Sequence, residues 1–200
     1  LRTAVTSRRA LRVAPATYAL PGADEARLAA ARLGGVVSHL SAAEHWGWKL
    51  KLPAQLPEVT VPRNSCGLSA DGVQVHWANL LPEQVCAGVT SRVQTVVGCA
   101  RDHPFDVALS VADSALRAGE RREAILAAAH MSPRTGRRKA IRVAEAADPR
   151  AANPFESVLR AIALEVPGLC VEPQQWVGRV GRVDLLDQRL VPGDKDTGAG

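Results

Sequence analysis

Seven aromatic residues in 200, four Trp, two Phe and one Tyr, leave few ring faces for bases to stack on. That argues against a reader of RNA or single strands and turns any nucleic-acid reading toward duplex DNA. Long apolar runs are also missing. The uncharged stretches at residues 34–37 and 107–112 fall far short of the roughly 18 residues that cross a bilayer, so no membrane span is expected. The four cysteines, at 66, 86, 99 and 170, form no CxxC pair, which counts against zinc. No basic, apolar and small-residue leader opens the chain, and the plain reading is four reduced thiols in a cytoplasmic protein. HExxH, GxSxG and internal repeats are absent too, so neither a helical zinc pair nor serine hydrolase chemistry is indicated. Gly178 and Gly181 flank Arg179 and Arg182 between strands rather than opening a helix, which leaves no phosphate-cradling loop.

What the chain does have is arginine: 21 Arg against 4 Lys, a net charge of +5 and a pI of about 9.4. Guanidinium forks suit phosphate contacts, although GC-rich coding produces the same bias. Distribution matters more than the sum. Residues 1–12 carry Arg2, Arg8, Arg9 and Arg12 with no acid, and Leu1, Val5 and Leu11 make one apolar stripe of a basic helix. Two short strands follow, at residues 12–13 and 17–20. A second basic cluster, Arg134, Arg137, Arg138, Lys139 and Arg142, lies on a helical stretch that Gly136 softens. Either cluster clamps DNA phosphates or is a solvated helix face.

Local signals mark the other elements. Asp24 opens a helix that Gly34 and Gly35 close; Ser41-Ala42-Ala43-Glu44 reads as a capping box. Residues 59–61 and 73–77 alternate as strands across a turn rich in Asn, Ser, Gly and Asp, which suggests an antiparallel pair. Helices are expected around Val93, Val96, Val97 and Ala100, over residues 106–117 after Pro104, and twice within 121–147 with a break at Ser132-Pro133. Asn153-Pro154 starts a further helix with Phe155, Val158, Leu159 and Ile162 on one face, followed by strands near 170–177 and 180–186. Residues 193–200 have no apolar residue but Ala199 and are expected to be disordered. The fold class is α+β.

Several of these strings resemble a common actinobacterial group: Gly35-Val36-Val37-Ser38-His39-Leu40-Ser41-Ala42-Ala43, Val59-Thr60-Val61-Pro62-Arg63, Gly72-Val73-Gln74-Val75-His76, and residues 107–116. The group is the AbiEi-type antitoxins of type IV toxin–antitoxin systems, joined to a C-terminal domain related to very-short-patch-repair endonucleases. The resemblance implies a partial winged-helix element at 1–21, an AbiEi-like mixed α/β domain at 22–130, a basic helical linker at 131–152, an incomplete restriction-endonuclease-like domain at 153–192, and a tail at 193–200. It implies an autorepressor that binds its own promoter as duplex DNA, with self-association open and no direct binding of a cognate toxin assumed. The chain opens at Leu1 rather than Met and is expected to lack the upstream helices of a full winged helix.

In the nuclease-like part the resemblance matches Glu156 and Asp184 to the helix glutamate and hairpin aspartate that bind Mg²⁺, a hard ion that prefers oxygen ligands. DNA binding itself requires no cofactor; Mg²⁺ enters only if the nuclease is active. Where the family continues into a strand bearing a further Glu, this chain has Pro192-Gly193-Asp194-Lys195-Asp196, a stretch poorly suited to a strand. Glu156 also stands three residues after Asn153, where a glutamate caps the helix, and Asp184 faces solvent by alternation. Among the histidines, at 39, 45, 76, 103 and 130, His39 reads as a packing or capping neighbour of Ser41, with metal binding as the lesser alternative.

Overall fold

A computed structural model describes residues 10–14, 17–177 and 181–190. Arg2, Arg8 and Arg9, with the basic helix expected around them, and the tail at 193–200 lie outside the described residues. The first described element is a two-stranded antiparallel hairpin, β1 (Leu11–Ala14) and β2 (Thr17–Ala19), in which Arg12 pairs with Tyr18. Helix α1 (Glu25–Leu33) starts where the Asp24 carboxylate accepts from Ala26 N–H at 2.8 Å, and it stops at Gly34, whose left-handed φ of 64° a side chain would resist.

Five short strands then form one mixed sheet: β3 (Val36–Val37), β4 (Glu58–Val61), β5 (Gln74–Trp77), β6 (Val85–Cys86) and β7 (Val89–Thr90), in the order β5-β4-β3-β7-β6. The expected antiparallel pairing of β4 with β5 is wrong. They run parallel, Glu58 beside Gln74 and Val61 beside Trp77. The turn-rich residues 62–73 are a crossover, of about the dozen residues that a parallel connection needs, and not a hairpin. Between β3 and β4 lies α2 (His39–His45), preceded by Gly35, where a Cβ would meet Thr60 O at 2.7 Å.

The helices α3 (Arg92–Asp102), α4 (Phe105–Arg117), α5 (Arg122–Met131) and α6 (Arg134–Ala146) pack as a group at the positions read from Pro104, Gly119 and Pro133. Their core is Val96, Cys99, Leu109, Val111, Ile125, Ala129, Val143 and many alanines. With so few aromatics the interior is filled by short side chains, which lets the helix axes come close. A second core joins Ala26, Ala29, Ala30 and Leu33 of α1 to Val37, Val59, Val61 and Val89 of the sheet.

Helix α7 (Pro154–Glu165) and the antiparallel strands β8 (Val171–Val177) and β9 (Gly181–Asp187) complete the described chain. The face of α7 turned inward carries Ser157, Arg160 and Ala161, whereas Phe155, Leu159 and Ile162 of the apolar stripe point outward. Arg160 reaches the buried Asp113 of α4 with one guanidinium nitrogen at 2.5 and 2.6 Å from the two carboxylate oxygens, so a charge pair docks this helix. Burial pushes the Asp113 carboxyl above its ordinary range even with Arg160 beside it. Among the described residues no helix is long and apolar enough to cross a membrane.

Candidate functional site

Three histidines and two acids from four separate elements meet at the end of the sheet. Strand β4 is buried along its whole length, and Glu58 goes into the interior with its valines. A buried carboxylate needs donors, and two imidazoles supply them. His76 Nε2, from β5, donates to Glu58 Oε2 at 2.9 Å, and His103 Nε2, at the C-cap of α3, donates to the same oxygen at 3.0 Å. His39 opens α2, with Nε2 2.9 Å from Asp102 Oδ2 and Nδ1 2.9 Å from Ser38 Oγ. Its ring stacks on that of His76, centroids 3.5 Å apart and planes 15° from parallel. His76 Nδ1 lies 3.6 Å from Asp102, which ties the two carboxylates into one network.

Two local features aim the His39 ring. Its φ is +50°, a left-handed backbone that costs a residue with a Cβ about 1–3 kcal/mol. Gly98, inside α3, leaves room for it: a Cβ there would sit 3.2 Å from His39 Nε2. The rings border a cavity of roughly 290 Å³ lined also by Thr60, Gln94 and Arg101.

The electrostatics follow from burial set against these contacts. Burial disfavours the His76 cation, but the Asp102 and Glu58 carboxylates outweigh it and hold the pKa up at about 9. Burial also acts to raise Glu58, and the hydrogen bonds from His103 and His76 prevail, bringing it down to about 2. Asp102 falls below the ordinary carboxylate range, its desolvation overcome by His39 and His76. His39 goes the other way: fully desolvated, its pKa drops. In the stacked pair a proton is therefore favoured on His76 and disfavoured on His39.

Sequence reasoning missed this assembly. It read Ser41 and Glu44 as a capping box, but Ser41 lies inside α2, where its hydroxyl accepts from Glu58 N–H at 2.9 Å, and Glu44 accepts from Ala54 N–H. Helix α2 starts instead at Ser38, whose side chain makes no cap bond to the helix. The signal available in the sequence was a glutamate leading into the β-branched run Val59-Thr60-Val61, a residue that requires partners once that strand is buried.

The expected DNA contacts separate into two kinds. Arg12 is exposed on β1. On α6, Arg134, Arg138 and Lys139 are exposed and, among the described residues, enter no ion pair. Arg137 donates to Ser132 O at 2.6 Å, and Arg142 lies 3.9 Å over the Phe105 ring with Glu165 3.7 Å away. Both are partly committed to packing. The helix breaks at Thr135 and Gly136, where the backbone presses on α3: a Cβ on Gly136 would meet Arg101 Cβ at 2.9 Å.

Glu156 and Asp184 do come together, joined by a third residue. Glu156 accepts from Asn153 Nδ2 at 2.6 Å and from Ala152 N–H at 2.9 Å, which is its capping role. Gln174 Nε2 then donates to Glu156 Oε2 at 2.7 Å and to Asp184 Oδ1 at 3.1 Å. Gln174 has φ +55° and sits where the pairing of β8 with β9 skips from Pro173 to Gln175. An amide donor between two carboxylates fills the position a cation would take, and among the described residues no third acid faces it. This arrangement does not fit a Mg²⁺ site.

No protein-family model matches the chain, and no curated protein matches it. Among solved structures, the crystal structure of RV2827C protein from Mycobacterium tuberculosis is similar at 14% identity over 80% of this chain and 69% of that one, with a TM-score of 0.47.

Proposed function

We propose that this chain is a duplex-DNA-binding, antitoxin-like transcriptional regulator carrying a degenerate nuclease-like unit at its C-terminal end. The observation that supports the reading is the outer face of α6. Arg138 and Lys139, and Arg134 on the other side of the break at Thr135 and Gly136, stand in solvent with no acidic partner among the described residues, on a segment that has no acid before Glu145. Unpaired cations on one face attract phosphates without reading bases. In this reading the β1–β2 hairpin serves as the wing of a winged helix, and Arg2, Arg8, Arg9 and Arg12 make phosphate and groove contacts. The restriction-endonuclease-like unit enters as an inactive one, because Gln174 links Glu156 to Asp184 as a hydrogen-bonded clasp.

Fluorescence anisotropy on the chain's own upstream DNA and on a scrambled duplex, across a salt series, tests this. Tighter binding to its own sequence is expected. The Arg138→Ala, Lys139→Ala double variant should flatten the slope of log K against log salt by about two. An unchanged slope removes α6 from the interface, and no binding to either duplex removes the regulator reading.

A further inference from the structure

We propose that His39, Glu58 and His76 form a binding site for one divalent transition-metal ion, with Ser38 and His103 as the groups that orient the ligands. The three side chains each offer one ligand atom, and these atoms lie within 4.8 Å of one another. Tetrahedral bonds of about 2.1 Å need separations of roughly 3.4 Å with the ion in the plane of each ring, so binding requires the stacked His39 and His76 rings to turn out of their parallel arrangement. Two imidazoles and one carboxylate suit borderline ions such as Zn²⁺ rather than Mg²⁺ or Ca²⁺, which take oxygen.

The surroundings match what such a centre requires. Ser38 Oγ engages His39 Nδ1, which leaves Nε2 turned into the cluster. His103 contacts Glu58 without belonging to the set of three, the place of an outer group that orients a ligand, whereas Asp102 holds His39 Nε2 itself and gives up that contact when an ion takes the nitrogen. The ligands come from a helix start and two adjacent, parallel strands, so their spacing is fixed by the sheet. The left-handed backbone of His39 and the glycine at 98 both cost stability, and both serve to place one ring. Of the three ligands, His39 and His76 line a cavity, which leaves a fourth position for water, the pattern of an open centre rather than a closed structural one.

The test is calorimetric titration of Zn²⁺ into the full chain after chelation and dialysis, with Co²⁺ absorption as a second readout. Saturable binding of one ion per chain is expected, with Co²⁺ showing nitrogen and oxygen ligation and no thiolate band. His76→Asn should weaken binding by about 100-fold or more, and His103→Ala by about 10- to 100-fold. His130→Asn, on the exposed face of α5, should change nothing. Should His76→Asn fail to fold, Glu58→Gln, which keeps the side-chain shape, takes its place with the same expected loss. The proposal is overturned if the folded chain shows no one-to-one binding. Equal affinity in the ligand variant and the parent chain, or loss of binding when Cys66, Cys86 and Cys170 are blocked, would equally sink it.

Discussion

Glu58 and Glu156 are both held by side chains distant in sequence, yet their donors differ in kind. Glu58 is buried and takes its hydrogen bonds from imidazoles, one of them a cation over most of the pH range. Glu156 sits half-buried at a helix start and, among the described residues, accepts from neutral groups: two amides and one backbone N–H. Charge-assisted bonds in a low-dielectric interior are the strong ones, and a group held that way is costly to disturb. Neutral bonds near solvent complete a helix end and little more. Among the described residues the Glu58 side chain accepts two hydrogen bonds and that of Glu156 three, so the number of bonds does not separate the two acids by purpose, and the charge of the donor does.

Stability measurements sharpen this contrast. Glu58→Ala leaves His76 and His103 facing an apolar gap and should cost about 3–5 kcal/mol in urea unfolding with metal chelated. A cost below about 1 kcal/mol would mean that solvent already reaches the cluster. Glu156→Ala removes a cap partner and should cost about 1 kcal/mol, while Gln174→Ala should fall within about 0.5 kcal/mol. A Gln174→Ala loss as large as that of Glu156→Ala would show that the clasp, and not the cap, holds β8 to α7.

Much of the architecture was legible because its signals are local. Asp24, Gly34, Pro104, Pro133 and Asn153-Pro154 act on their own turn of backbone, so the helix ends follow from neighbouring residues. The direction of β5 did not follow, because a crossover and a long hairpin loop share the same polar, glycine-rich composition. The outward turn of Phe155, Leu159 and Ile162 was hidden for another reason: hydrophobic periodicity cannot anticipate that Arg160 docks the opposite face through Asp113. Nothing local in the sequence brings Glu156 and Asp184 together, and Gln174 between them has no local mark either. His39, His76 and His103 have no spacing in common, and only the sheet order and the end of α3 bring them together.

That sheet order has a consequence for how the molecule comes to exist. Helices α3 to α6 meet neighbours close along the chain, whereas β3 must find β7 across the span from Val37 to Val89. Loop closure over such distances is slow to be repaid, so the helical group leads and the sheet follows. Substitutions at Val111 and Ile125 should then give φ-values above about 0.5, with Val59 near zero. The histidine cluster draws residues from both halves. It is completed at the step that joins them, which makes it a reporter of the last event in folding.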